Sequence, residues 1–143
     1  MEQNLDETAD TLLSLHPLYF RKFLYGAEIS AKEVARYRIL GIAEIAGPLP
    51  ISEIGKRLFI SRPYMTRLID SLINEGLVER QYDEDDRRVI NIVVTSAGRA
   101  YFREARERLK FHFREILSTL ADDDVRELSA AVSRVKEILQ KLV

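Results

Sequence analysis

Residues 61–95 read SRPYMTRLIDSLINEGLVERQYDEDDRRVINIVVT, and the fold turns on where the hydrophobic period changes inside that stretch. In its first half Met65, Leu68, Ile69, Leu72 and Ile73 recur at helical spacing and make one apolar stripe. Ser61 stands where an N-cap is wanted, and Pro63 falls in the first turn, where a missing N–H costs little. Gly76 is placed as the left-handed residue that ends such a helix. The pattern predicts a helix over 62–75. After Gly76 the period falls to two, so 77–82 and 88–95 read as strands, with YDEDDRR joining them.

Working outward, 51–58 predicts a short helix with Ile54 and Leu58 facing inward, and Phe59-Ile60 leads from it to Ser61. Ser30 and Glu33 form a capping box for a helix running to about Ala46, which Gly47-Pro48 stops. Its apolar members are Val34, Tyr37, Ile39, Leu40 and Ile42. Residues 6–25 show rough helical spacing, with Pro17 either a kink or a late start. Downstream, Thr95 caps a long helix over 97–119, and Asp122, Asp123 and Asp124 open a last helix, where acids suit the dipole. Val125, Leu128, Val132, Val135, Ile138, Leu139 and Leu142 are that helix's apolar seam.

Two helices joined by a tight turn and followed by a hairpin describe a winged helix-turn-helix. The expected fold is mainly α with a small β-hairpin wing: a winged helix-turn-helix domain over 31–96 and a helical dimerisation region made of 1–30 and 97–143. Long helices with continuous apolar seams need something to pack on, and the simplest further partner is a second copy of the chain. A homodimer is therefore expected.

The bulk numbers bound the class. The 143 residues are 46% hydrophobic and 31% charged, an ordinary globular balance. No apolar run is long enough to span a membrane, and the acidic N-terminus lacks the pattern of a secretory signal. There is no cysteine, which excludes disulfides, thiolate chemistry and Cys-ligated zinc. A cytoplasmic location is expected. The net charge of −1 is unlike a strongly basic nucleic-acid binder, but it hides a local surplus: Lys56, Arg57, Arg62 and Arg67 face only Glu53 within 53–67.

The acidic run 83–86 has three readings. A calcium loop starting at Asp83 would need oxygen at Arg87, glycine at Arg88 and glutamate at Val94, and all three fail. With only His16 and His112, zinc lacks nitrogen ligands. No metal and no cofactor is expected. A solvated acidic loop suits Asp83, Glu84 and Asp85. It explains Asp86-Arg87-Arg88 less well. A hairpin beside a helix-turn-helix reaches the adjacent groove, where a long Arg side chain enters, and a carboxylate two residues earlier brackets its guanidinium.

The segment ISEIGKRLFISRPYMTRLIDSLINEGLVERQYDEDDRRVINIVVTSAGRAYF resembles the DNA-binding core of MarR-type transcriptional regulators. It carries an Asp-x-Arg wing signature at Asp86-Arg87-Arg88, a Val94-Thr95 close of the wing, and Gly98 soon after. Upstream, GIAEIAGPLPISEIGKRL resembles the family's second-to-third helix junction. The resemblance spans roughly 30–143, with 8–30 looser. It implies a homodimeric winged-helix protein, usually a repressor, whose first and last helices interlock between subunits.

On that reading the contacts to double-stranded DNA fall on Lys56, Ser61, Arg62, Pro63, Tyr64, Thr66, Arg67, Asp86, Arg87 and Arg88. Arg62 and Arg67 have the reach to bridge guanine O6 and N7, Thr66 to touch a thymine methyl, and Tyr64 to meet a phosphate; a solvated helix face is the alternative. Ser61 either caps only or also donates to a phosphate. Pro63 shapes the turn or packs on a sugar, while Lys56 and Arg57 serve phosphates or solvent. A dimer would address half-sites about 10 bp apart in a near-palindromic operator, with strong salt dependence. The resemblance also implies a small aromatic or anionic effector in a crevice between the dimer helices and the winged domain. His16, Tyr19, Tyr37 and Arg38 are its candidate contacts, with aromatic core packing as the other reading. The missing cysteine excludes a peroxide-sensing thiol.

Neither histidine has a recognisable nucleophile partner and no Gly-rich phosphate loop appears, so an enzyme is not expected. The remaining competitor is a winged-helix module for protein contacts without DNA binding. Its hairpin would have no use for Asp-x-Arg.

Overall fold

Ser30 opens the first well-capped helix of the chain. Its hydroxyl accepts the Glu33 N–H at 3.1 Å, and the Glu33 carboxylate accepts the Ser30 N–H at 3.1 Å. The computed structural model describes residues 1–24 and 29–142; the expected end of the first helix at 25 lies outside the described residues. In chain order the elements are α1 (Glu2–Tyr19) with a π-helical turn at Phe20–Leu24, α2 (Ala31–Ala46), β1 (Leu49–Pro50), α3 (Ile51–Leu58), α4 (Arg62–Asn74), β2 (Val78–Tyr82), β3 (Ile90–Val94), α5 (Ser96–Leu117) and α6 (Asp122–Leu139). The chain is mainly helical with a small antiparallel sheet, as a winged helix-turn-helix requires. No helix among the described residues is long and apolar enough to cross a membrane.

The chain divides into two compact units, Leu24–Arg108 and Met1–Phe23 with Leu109–Val143. The first holds the core. Ile39, Leu40, Ile54, Met65, Leu68, Ile69, Leu72 and Ile92 are essentially sealed from solvent, bringing α2, α3, α4 and β3 together. The stripe read from 61–76 is the buried face of α4 except for Ile73, which is only partly covered. The end of α4 is a Schellman turn: Gly76 takes φ 73°, its N–H donates to Ile73 O, and the Leu77 N–H donates to Leu72 O, both at 2.9 Å.

Three findings differ from the sequence reading. The sheet has three strands in the order β1-β3-β2, because Leu49 and Pro50 pair with Ile92 and Asn91. Two residues are too few to carry a period, and Pro50, lacking an N–H, sits on an edge. The helix α1 begins at Glu2 rather than 6 and runs through Pro17 before widening into the π-helical turn. Ser61 occupies the N-cap position, but its side chain makes no cap bond. Only its backbone carbonyl engages, accepting the Met65 N–H at 2.9 Å.

In the second unit α1, the end of α5 and α6 carry no buried residue among those described, and a few aromatic rings meet there. Phe23 and Phe113 are 4.8 Å apart, Tyr19 lies 6.1 Å from Phe113, and His112 Nε2 is 3.0 Å from the Phe23 carbonyl. Leu12, Leu13, Leu15, Leu128, Val132, Val135 and Ile138 are exposed in the single chain.

Candidate nucleic-acid interface

The wing is built from its own tip. Asp83 Oδ2 accepts the backbone N–H groups of Asp85 and Asp86 at 3.2 and 3.1 Å, and Asp83 Oδ1 accepts Asn91 Nδ2 at 3.1 Å. Backbone bonds Asp83 N–H to Val89 O and Val89 N–H to Asp86 O, both 3.0 Å, close the loop. Asp83 is therefore the residue that shapes the tip, a role the sequence reading did not assign. The signal was available: Asp and Asn side chains hydrogen-bond backbone two residues on, and Asp83 precedes Asp85 at that spacing.

On this frame Asp86 grips Arg88 three times. Its Oδ1 accepts Arg88 Nε at 3.1 Å and the Arg88 backbone N–H at 3.0 Å, and its Oδ2 accepts a terminal guanidinium nitrogen at 3.2 Å. These bonds hold the Asp86 carboxyl below the ordinary carboxylate range, the side-chain bond being the larger cause and the backbone bond the smaller. The Arg88 side chain is nevertheless 91% exposed. A carboxylate that fixes a guanidinium's rotamer while leaving it in solvent prepares it for an anionic partner at low entropic cost. Arg87 is exposed beside it. Among the described residues no three His, Asp or Glu side chains cluster as a metal site.

A cleft of about 940 Å³ joins this wing to the helix-turn-helix. Arg88 and Ile90 line one side; Lys56, Phe59, Arg62 and Thr66 line the other. The structure thus brings Lys56, Arg62, Thr66 and Arg88 to one opening. Ser61, Pro63 and Arg67 are exposed on the first turns of α4. Tyr64 differs: it is half-buried against the core and lies 5.8 Å beneath the Arg67 guanidinium. Thr66 is exposed, and its Oγ1 donates back to Arg62 O at 3.1 Å. Arg57 is paired with Glu53 at 3.2 Å on α3. A second surface pair, Arg80 to Asp70 at 2.8 Å, ties β2 to α4.

The proposed effector residues fall in two places. His16 and Tyr19 are at the end of α1, where His16 stands 5.6 Å from Phe20 and Tyr19 5.5 Å from Phe23. Tyr37 and Arg38 are on α2, where Tyr37 stacks at 4.8 Å on Phe102 while Arg38 is exposed. The sequence reading passed over Arg36, which is buried, lies 5.2 Å from the Tyr101 ring centroid and forms an ion pair with Glu75. Its position was readable, since 36, 39, 40 and 43 share the buried face of α2.

This architecture, a short helix, a turn, an exposed cationic helix start and a wing that presents an arginine, defines a winged helix-turn-helix DNA-binding protein. Residues 33–90 match the model of the MarR family. Curated relatives agree over longer spans. An HTH-type transcriptional regulator of Bacillus subtilis, YpoP, is 27% identical over 110 residues, covering 76% of this chain and 78% of that one. The HTH-type transcriptional repressor MdtR of the same organism is 25% identical over 132 residues, covering 90% and 85%. Wild-type apo MarR from E. coli superposes with a TM-score of 0.67 at 22% identity, covering 92% of this chain and 95% of that one, which supports the fold. Over its winged helix-turn-helix the chain is similar to the MarR family, and the relatives it matches at greater length are transcriptional regulators.

Proposed function

We propose that the protein is a dimeric repressor that binds a near-palindromic operator and acts in the cytoplasm. The observation that carries this reading is the Asp86–Arg88 bracket, which holds an exposed guanidinium at the mouth of the cleft shared with Arg62 and Thr66. With the start of α4 in the major groove, Arg62 and Arg67 would meet base edges, while Lys56 and Ser61 would meet phosphates. Ser61 suits that role because its hydroxyl makes no cap bond. Arg88 would enter the neighbouring minor groove, flanked by Arg87. Tyr64 would serve less as a contact than as the platform under Arg67. Pro63 would pack on a sugar.

Residues 1–30 and 97–143 would form the dimerisation region and 31–96 the reading head. The exposed apolar side chains of α1 and α6 support that division. Repression is proposed by analogy with MdtR, a transcriptional repressor matched over most of both chains. A small aromatic or anionic effector contacting His16, Tyr19, Tyr37 or Arg38 would release the operator by favouring one arrangement of the two heads. A calorimetric screen of phenolic acids, followed by operator release, tests that part.

The decisive experiment is fluorescence anisotropy with DNA from upstream of the protein's own gene, repeated over a salt series. Binding that saturates at a defined fragment and weakens linearly in log–log salt is expected. Equal affinity for scrambled DNA, or no binding, would remove the reading and leave a protein-contact module.

A further inference from the structure

Phe59, in the turn between α3 and α4, is 95% exposed and has a left-handed backbone, φ 54° and ψ 41°. It is the one non-glycine residue among those described with positive φ. A bulky side chain in that conformation is strained, because Cβ crowds the following carbonyl. The conformation itself is needed: it lets the Ile60 N–H donate to Gly55 O at 3.0 Å and the Phe59 N–H to Lys56 O at 3.3 Å, which ends α3 and aims the chain at Ser61. Glycine would meet that need without strain. The ring, for its part, buries nothing in the core. Folding therefore explains the turn but not the phenyl group.

The ring's position supplies a reason. Phe59 lines the same cleft as Lys56, Arg62 and Arg88, and it immediately precedes the exposed start of α4. We infer that Phe59 is a further operator-contacting residue: its ring packs on an apolar C–H edge of the DNA where α4 enters the groove. The inference rests on the DNA-binding reading above. Two edges share that chemistry, the deoxyribose and the thymine 5-methyl group, and both are apolar surfaces flanked by phosphates that cations hold in place. Burial of the ring is withheld until DNA arrives, so the strain is retained in the free protein and offset in the complex.

The test uses the full chain and the fragment identified by anisotropy. Phe59→Gly removes strain and ring together; Phe59→Asn removes the ring but keeps a side chain that tolerates the left-handed region. Both variants should bind the operator about tenfold more weakly, the scale of one partly buried aromatic side chain. Their salt slopes should match the wild type, since no phosphate contact is lost. The thermal midpoint of Phe59→Gly should rise by about 2–4 °C. An operator with uracil for thymine separates the two edges: loss with the wild type alone identifies the methyl group, and no loss identifies the sugar. Wild-type affinity in both variants, while Arg88→Ala binds weakly, would overturn the inference and leave the DNA reading intact. A lowered midpoint in both would also overturn it, by making Phe59 a folding residue. No effect from any of the three variants would overturn the inference together with the wing contact, and the anisotropy experiment alone decides whether the chain binds DNA.

Discussion

Arg88 illustrates how one side chain can be exposed and still ordered. Its guanidinium gains two bonds from Asp86, yet the Asp86–Arg88 pair is a surface pair whose own contribution to stability is small. Its value lies in what the geometry spares at binding, the rotamer entropy of a long side chain. Arg88→Ala should therefore leave the circular dichroism spectrum and thermal midpoint unchanged while lowering operator affinity by about 1–3 kcal/mol, the scale of one good arginine contact. An unchanged affinity would show that the wing does not reach the DNA. The same pair makes a prediction about protons. Asp86 is more acidic folded than unfolded, so whatever it contributes is fully present above the unfolded carboxylate pKa of about 4 and is lost as pH falls through its lower folded value. Operator affinity should accordingly show no titration of this group between about pH 5 and 8. In a carboxylate-detected NMR titration the Asp86 midpoint should lie below the ordinary range. In Arg88→Ala it should rise only part of the way back, because the backbone N–H of residue 88 still donates to the carboxylate. A midpoint that Arg88→Ala leaves unmoved would show that the bracket does not exist in solution.

At the scale of elements, the wing and α4 are fixed to each other through one crowded junction. Thr95 Oγ1 donates to Gly76 O at 2.6 Å and accepts the Gly98 N–H at 3.0 Å, while the Thr95 N–H donates to Leu77 O at 3.1 Å. One threonine thus caps α5 and grips the turn that ends α4. The approach is so close that a Cβ at Gly98 would stand 2.0 Å from Leu77 O and 2.8 Å from a Val94 methyl. Backbone cannot step aside as a side-chain tip can, so Gly98→Ala should destabilise the chain by at least about 2 kcal/mol in urea titration. A loss under half that would mean α5 shifts freely against the wing. This junction also marks the limit of legibility. Gly76, Thr95 and the stripe of α4 were readable because caps and periods are local in sequence. The strand β1 was not, because its pairing with Ile92 and Asn91 is a contact across some forty residues made by a two-residue segment. Ser61 was over-read for the opposite reason: the residue type fits an N-cap, but the side-chain bond depends on a rotamer that no sequence reports. Asp86 and Arg88 were legible as a pair two residues apart, whereas the tip on which they stand belongs to Asp83, hidden within a run of similar acids.

For the whole molecule, the net charge of −1 and a DNA interface are compatible because charge is distributed by element. Cations gather at α3 and the start of α4, the wing tip sets Arg87 and Arg88 against four acids, and acids crowd the starts of α1 and α6. Each head offers a small contact surface, so affinity would depend on two heads acting together, the second binding at the high effective concentration the first creates. The proposed means of pairing them is α6. Val125, Leu128, Val132, Val135 and Leu139 alternate three and four residues apart, the 3.5 period of helices that wrap around a partner. Of these, Leu128, Val132, Val135 and Leu139 are 38%, 57%, 39% and 44% exposed in the single chain, an apolar row that water would not tolerate uncovered at this length. Val132 lies mid-row and is the most exposed of the four. A charge there meets only solvent in a monomer but an apolar partner in a dimer, where an unpaired carboxylate is costly. Val132→Glu should therefore keep its helical content yet sediment near the single-chain mass of 16.5 kDa, and the wild type should sediment at twice that value. Operator affinity should fall by at least about a hundredfold as bivalent binding is lost. If the variant still sediments at the dimer mass, α6 is not the pairing surface, and the two heads must be joined elsewhere.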